Sequence, residues 1–307
     1  MLCVECSRFE KTIISLISMP ISFHADLHCH STFSDGTLSP TALAQRAKRN
    51  RVTLWALTDH DEIAGLPEAR DAAFAQNLDF LTGVEISASF ANTTVHIVGL
   101  GFDTDNTQLR QGLQDLRNNR GPRAQEMGRQ LAAVGIPDAY EGALKFVGNP
   151  ALISRTHFAR YLVEAGICKD THEVFKNYLV EGKPGYTPQR WATLEDAVRW
   201  ITGARGVAVI AHPARYGFSP TEEFAFFSSF KSYGGQAIEA VTGSHKPHEY
   251  SHYADLAKEM GLTISRGSDF HSPQESHIDI GGLPADPLGT TGVWELLQAR
   301  IQKAVSA

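Results

Sequence analysis

Cysteine is scarce: four residues, at positions 3, 6, 29 and 168, in a chain of 307. Four scattered thiols make no disulfide framework for a domain of this size, so a reducing compartment, the cytoplasm, is expected. Cys3 and Cys6 have CxxC spacing but no second pair, which leaves them weak as a metal or redox motif. Basic charge is not in excess either. Twenty-eight Lys and Arg against 34 Asp and Glu give a net charge of −6, which argues against a broad phosphate-neutralising face for duplex DNA. Long apolar runs are missing. The stretch at residues 12–21 (TIISLISMPI) is only about half a membrane span, and it lacks the basic flank and cleavage site of a secretory signal. Residues 1–22 therefore read as an extension, with Met19 as a candidate start. No membrane attachment or obligate protein partner is expected. Repeats and low-complexity segments are absent. A chain of this length, 42% hydrophobic, can bury a core without staples.

What is present is an alternation of strand-like and helix-like segments. Short apolar runs occur at Phe23–Cys29, Thr53–Leu57, Leu78–Val84, Val95–Leu100, Val207–Ala211, Ala237–Val241 and Leu262–Ser265. Helical patterns lie between most of them: Pro40–Asn50 after Ser39, Leu66–Gln76, Leu194–Gly203 after Thr193, and His248–Met260 before Gly261. Seven such units predict an α/β fold with a closed or nearly closed barrel; a doubly wound open sheet is the alternative. Residues 105–190 break the pattern, with helical stretches at Gln108–Asn118, Arg123–Val134, Arg155–Glu164 and Thr171–Val180 and no convincing strand. They carry twelve Lys/Arg and nine Asp/Glu, a balance of +3, which leaves −9 on the rest. The division expected is thus an extension at 1–22, a barrel at 23–104 and 191–307, and an all-helical insertion at 105–190. The sign asymmetry suggests a basic lid over an acidic mouth.

The chemistry collects at strand ends. In the first strand Asp26, His28 and His30 fall on one face by the two-residue period, so two imidazoles could clamp a metal while Asp26 orients one of them. Asp35 follows in the next loop. The second strand runs into Thr58-Asp59-His60-Asp61, the third ends on Glu85, the fifth on His212, and the last on Ser268-Asp269-Phe270-His271. His96 sits at the start of its strand, so it needs a different direction of approach, on an antiparallel or a bent strand. Taken singly, each histidine has a bland reading as a hydrogen-bonded structural residue. Gathered on one rim, where barrel enzymes build their sites, they no longer do.

The segments DLHCHSTFSDG, TDHD, GVE, HIVG, AHP and SDFH occur in this order, spread over residues 24–104 and 206–272. In this the chain resembles the PHP (polymerase and histidinol phosphatase) family of metal-dependent phosphoesterases. The resemblance implies a distorted (βα)7 barrel and up to three divalent metals held by His28, His30, Asp35, His60, Glu85, His96, His212, Asp269 and His271. It implies one ion on His28, His30, Glu85 and Asp269, a second on Asp35, His60 and His212, and a third sharing Glu85 with His96 and His271. Arg120, Arg123, Ala124 and Met127 in an RxxRAxxM pattern, with ISRTHFA at 153–159, resemble the bacterial subgroup that removes the 3′-phosphate of nucleoside 3′,5′-bisphosphates. Relatives in that subgroup also degrade short RNA from the 5′ end.

Mixed imidazole and carboxylate ligation suits Mn²⁺, Fe²⁺ or Zn²⁺ and does not choose among them; two to three ions are expected, with Mn²⁺ as the leading candidate. The general acid is open among His271, His245 and a water. His157 and His172 read as exposed helical residues, and His248 as a rim or loop residue. A doubly phosphorylated substrate needs a second anion site, for which Arg155 at a helix start and Lys183 and Arg190 in the return loop are the candidates. Trp191 and Tyr186 could stack on a base, with buried packing the plainer role for the tryptophan. The substrate expected is a nucleotide or short oligoribonucleotide. The alternatives are a small metabolite such as histidinol phosphate, and a metal-stabilised module without chemistry.

Overall fold

The computed structural model describes residues 23–304; the expectations for residues 1–22 lie outside the described residues. β1 (Ala25–Asp26) leads to α1 (Pro40–Arg49), β2 (Leu54–Leu57) and α2 (Leu66–Ala75). β3 (Asp79–Phe90) turns directly into β4 (Thr93–Leu100). Helices follow: α3 (Thr107–Asn118), α4 (Arg120–Ala133), α5 (Ala139–Leu144), α6 (Arg155–Glu164) and α7 (Thr171–Val174), the last continued by a π-helical turn at Phe175–Leu179. The short β5 (Ala192–Thr193) precedes α8 (Leu194–Gly203), β6 (Val207–Ile210), α9 (Pro220–Ser232), β7 (Ala237–Thr242), α10 (Pro247–Met260), β8 (Thr263–Gly267) and α11 (Trp294–Leu297).

The strands run in the order β1-β2-β3-β4-β6-β7-β8, with β5 added to β3. All neighbours are parallel except β4, which is antiparallel to both β3 and β6, one of the two approaches expected for His96. The two ends of the sheet then meet. Leu27 N donates to Arg266 O at 3.0 Å, Asp269 N to His28 O at 2.8 Å and His30 N to Phe270 O at 2.9 Å. Those bonds close a seven-stranded barrel and exclude the open doubly wound sheet, whose edge strands would be unpaired. Ala25, Leu27, Leu54, Ala56, Leu81, Val98 and Val209 fill the interior, and Val293, Trp294, Leu297 and Ile301 of the C-terminal segment pack beneath them. The donor residues are left at the other end.

Local sequence explains the helices. Ser39 Oγ accepts from Ala42 N at 3.2 Å ahead of α1, and Thr193 Oγ1 accepts from Asp196 N at 3.0 Å ahead of α8. The helix α9 went unread, although Ser219 and Glu222 cap its start reciprocally and Phe226, Phe227 and Phe230 bury its inner face. β3 also corrects the expectation. It does not end near Glu85 but continues to Phe90 as a hairpin arm, because Ala91 and Asn92, at φ 47° and 63°, form a tight two-residue turn into β4.

The segment between β4 and β5 packs in two ways. Leu109, Leu113 and Leu116 of α3 join the apolar layer around the barrel. Met127 and Leu131 of α4, Phe158 and Leu162 of α6, and Leu179 form a separate core. No helix among the described residues is long and apolar enough to cross a membrane.

Candidate metal centre

His28 and His30 come from the end of the first strand, but not on the face the two-residue period gave to Asp26. Leu27 belongs to the barrel interior and Cys29 to the outer layer, so the alternation slips after the short β1. Asp26 then accepts from Ser268 N at 2.9 Å and Gly281 N at 2.7 Å, and it orients no imidazole. That task falls to Glu239 on β7, which the sequence reading missed. Its Oε1 lies 2.8 Å from His28 Nδ1 and its Oε2 accepts from His212 N at 2.8 Å. A lone carboxylate within the apolar run AIEAVT, on the inward face with Ala237, was the available signal.

The other donors converge on three carboxylates. Glu85 Oε2 lies 3.2 Å from Nε2 of both His28 and His30 and 3.0 Å from His60 Nδ1. Its Oε1 lies 2.7 Å from His96 Nδ1 and 2.9 Å from His212 Nε2. Asp269 Oδ1 is 3.2 Å from His30 Nε2, and Asp35 Oδ1 is 3.4 Å from His271 Nε2 and 3.8 Å from His60 Nε2. Burial by itself would raise these carboxyl pKa values. The surrounding imidazoles outweigh it and hold Glu85, Asp35 and Asp269 well below the ordinary range. Burial also lowers His212, to about 3, with Arg215 adding to the effect.

The fit to cations shows in the atoms left over. Nδ1 of His30, His60 and His96, Oδ1 of Asp35 and Oε2 of Glu85 are buried and crowd together without forming hydrogen bonds, even where imidazole and carboxylate approach within 3.0 Å. Converging buried lone pairs are costly unless a positive ion fills the space between them. Three groups have donor atoms within 4.8 Å of one another: His28, His30, Glu85 and Asp269; His30, Asp35, His60 and His271; and His60, Glu85 and His96. Each can hold a metal ion.

Neighbouring polar residues fix the loops that carry the donors. Of the TDHD segment only His60 faces the cluster. Asp59 accepts from Ser31 N at 2.7 Å and Ser34 Oγ at 2.6 Å, pinning the loop that presents Asp35. Gly36 completes that loop, since a Cβ there would fall 2.1 Å from His30 O. Asp61 accepts from Ser87 N at 2.8 Å and pairs with Arg120. His212 and Asp269 both have positive φ, 27° and 53°, so two donors stand on strained backbone at strand ends.

A cleft opens over the cluster in two adjoining compartments of about 130 and 290 Å³, which share Arg215, Asp269 and His271. The smaller is lined by Arg120, Arg123 and Arg155 from the helical segment and by Trp191. Arg120 and Arg123 lie over the Trp191 ring at 5.0 and 5.9 Å. Burial, with Arg155 and Arg120 nearby, lowers Arg123 to about 9. Lys183 and Arg190 are exposed and line neither compartment. His245 is buried off the cleft, its Nδ1 3.1 Å from Ala240 O and its ring stacked on Tyr253. His248 and His172 are exposed. His157 is fully buried, contrary to its exposed reading, because its Nδ1 accepts from Ser154 N at 3.0 Å and turns the ring under the helix start.

Residues 26–178 match the PHP domain family. The chain is 48% identical over 276 residues to a 3′,5′-nucleoside bisphosphate phosphatase of Chromobacterium violaceum, covering 90% of this chain and 97% of that one. The chain belongs to the PHP domain family. It is also 40% identical over 273 residues to a 5′-3′ exoribonuclease of Escherichia coli, with coverage of 88% and 92%. A solved structure described as an amidohydrolase from Chromobacterium violaceum, with bound sulfate and no metal, superposes at a TM-score of 0.90 and 46% identity, covering 92% and 99%.

Within this PHP barrel the donors group differently from the second and third sets that the resemblance implied. His271 follows β8, which neighbours β1, and therefore meets Asp35 from the loop after β1. His212 follows β6, beside β4, and therefore meets Glu85 and the His96 ring, 5.3 Å away. Barrel adjacency decides which donors lie together.

Proposed function

We propose that this PHP hydrolase removes the 3′-phosphate of nucleoside 3′,5′-bisphosphates and trims short RNA from its 5′ end. The observation that carries the reading is a compartment with two uncompensated guanidiniums directly beside the donor cluster. Neither Arg123 nor Arg155 has a carboxylate partner within 4.0 Å among the described residues, although both line the cleft. Two such cations facing one half-enclosed space favour an anion between them. The names of two close relatives, one a nucleoside bisphosphate phosphatase and one a 5′-3′ exoribonuclease, support the same assignment.

The nine residues His28, His30, Asp35, His60, Glu85, His96, His212, Asp269 and His271 would hold two to three divalent ions, and their mixed imidazole and carboxylate chemistry suits Mn²⁺, Fe²⁺ or Zn²⁺. Such ions would make a water nucleophilic near neutral pH and neutralise charge on the reacting phosphate. The chain's own groups do the rest. Arg155, at the first position of α6, and Arg123 on α4 anchor the 5′-phosphate. Arg120, paired with Asp61, and Trp191, bonded through Nε1 to Thr94 Oγ1 at 3.1 Å, keep the anchor in place. Arg215, half exposed, with Nη1 2.9 Å from Asp269 Oδ2, reaches the reacting phosphate from the far side. His271 would serve as a metal donor rather than the general acid: its Nδ1 lies 2.9 Å from Asp269 O, and with Nε2 given to a cation it would have no proton to pass on.

A phosphatase for a singly phosphorylated metabolite would leave Arg123 and Arg155 without a ligand. The test is phosphate release from a nucleoside 3′,5′-bisphosphate, a 5′-phosphorylated oligoribonucleotide and histidinol phosphate, with and without Mn²⁺. The first two should turn over in a Mn²⁺-dependent manner. Faster release from histidinol phosphate would overturn the assignment.

A further inference from the structure

We propose that the larger compartment of the cleft receives the nucleoside that follows the scissile phosphate in an oligoribonucleotide. One donor cluster then serves both a free nucleotide and an RNA chain. The inference rests on the function proposed above and adds a subsite to it.

The chemistry requires such a place. In a 3′,5′-bisphosphate, water oxygen bonds to phosphorus and the 3′-oxygen departs with the bonding pair and gains a proton. The products are a nucleoside 5′-phosphate and inorganic phosphate. In RNA the same bond breaks at the 5′-terminal residue. The phosphorus then also carries the 5′-oxygen of the next residue, so the products are a nucleoside 5′-phosphate and a chain shorter by one, again 5′-phosphorylated. Both substrates share the first nucleoside and its 5′-phosphate. They differ only in what the phosphorus carries besides the departing oxygen.

With the 5′-phosphate held by Arg123 and Arg155 in the smaller compartment, the extra arm needs another exit from the donors. The larger compartment supplies it, since it touches the same Asp269, His271 and Arg215. Its character also differs. Arg120, Arg123 and Arg155 are absent from its lining, which adds to the shared Thr156 the hydroxyls of Thr171 from the insertion, Ser244 after β7 and Ser276 after β8, together with Glu275 and His277. A wall of hydroxyls with the Glu275 carboxylate among them suits the hydroxyls and amino groups of a ribose and base and repels a terminal phosphate, which would seek the guanidiniums. The volume, about 290 Å³, falls just under the usual range of small-molecule sites, which limits the occupant to a single nucleoside. Phe175, with the Arg155 guanidinium 5.7 Å over its ring, lines both compartments and stands where the two nucleosides would part. The shortened product carries the 5′-phosphate that the arginines bind, so it can be drawn in for the next cycle.

Ser244 is exposed, so a bulky residue there blocks the compartment without disturbing a core. The Mn²⁺-loaded Ser244→Trp protein is to be assayed on adenosine 3′,5′-bisphosphate and on 5′-phosphorylated ApA. Its kcat/KM for the dinucleotide should fall at least about tenfold while that for the bisphosphate stays within about twofold. Thr171→Trp, which fills the space from the insertion side, should give the same split. An equal fall for both substrates, or no fall for either, overturns the proposal. Wild-type protein that cleaves the bisphosphate but not the dinucleotide refutes this subsite alone. Wild-type protein that cleaves neither refutes the parent assignment and this one with it.

Discussion

At the barrel rim, donors hang from strand ends locked by the sheet; in the helical segment between β4 and β5, arginines stand on helices with an apolar core of their own. The rim gains its order from backbone pairing around a closed barrel and from buried carboxylates such as Asp59 and Glu239. The insertion is seated on it by polar forks. Arg160 grips Glu275 through Nε and Nη2 at 2.8 and 2.6 Å, Arg117 Nη1 donates to Asp61 O at 2.6 Å, and Arg120 pairs with Asp61. The difference teaches a division of labour. Changes at the rim should affect every ester alike, whereas changes on the insertion should affect discrimination between esters.

The largest effect should come from deleting a rim donor. Asp269→Ala or His60→Ala is expected to lower kcat by at least about a thousandfold on every phosphate ester, because several kcal/mol of charge stabilisation go with the cation. The unfolding transition should remain cooperative. A loss confined to the bisphosphate would erase the distinction between the two regions.

Acid stability probes both regions next, since each buries an imidazole outside the donor cluster. Burial depresses His245 in the barrel and His157 in the insertion to about 4. Both stay neutral in the folded chain while the unfolded chain takes up protons below about 6.5. Their contribution is therefore present above pH 6.5 and lost as pH falls toward 4, by up to about 3 kcal/mol each. Urea midpoints measured from pH 7 to pH 4 should fall less steeply for His245→Gln and His157→Gln than for the wild type. Equal slopes would remove both histidines from the account.

A smaller effect tests how the rim is ordered. Glu239 does not itself line the cleft, yet it fixes His28 through Nδ1 and His212 through its backbone. Glu239→Gln should weaken Mn²⁺ binding, measured by calorimetry, about 10–100-fold with the secondary structure unchanged. Unaltered Mn²⁺ affinity would make the contact merely structural.

The same contrast governs what could be read from the sequence. The rim was legible because strand-end motifs are local: His28, His30, His60, Glu85, His96, His212, Asp269 and His271 reach the cluster whatever the helices do, and Asp35 comes with its short loop. Even the reversed direction of β4 was one of two approaches expected from where His96 stood in its run. Asp26 failed because one slip in a two-residue strand moves a side chain to the other face. The hairpin beyond Glu85 failed because Ser87 and Ser89 mask the strand signal and the turn at Ala91–Asn92 contains no glycine. On the insertion, Arg155 was legible from its cap at Ser154. Arg123 was not assigned to anion binding, and Lys183 and Arg190 were placed near a site they do not line. Which face of a helix meets the cleft is settled by packing among α4, α6 and α7, and no local pattern encodes it.

The central claim is that the rim performs the reaction and the insertion selects the substrate. The most direct test is the ratio of kcat/KM for a nucleoside 3′,5′-bisphosphate over the matching 3′-monophosphate, in wild type and in Arg155→Ala, with a generic phosphate ester as control. A charge-assisted contact to the 5′-phosphate contributes roughly 1.5–3 kcal/mol, so the account predicts a wild-type preference of about ten- to a hundredfold that Arg155→Ala largely erases, while hydrolysis of the generic ester is spared. If Arg155→Ala slows all three substrates equally, Arg155 serves the reacting phosphate or the fold, and the division between rim and insertion is wrong.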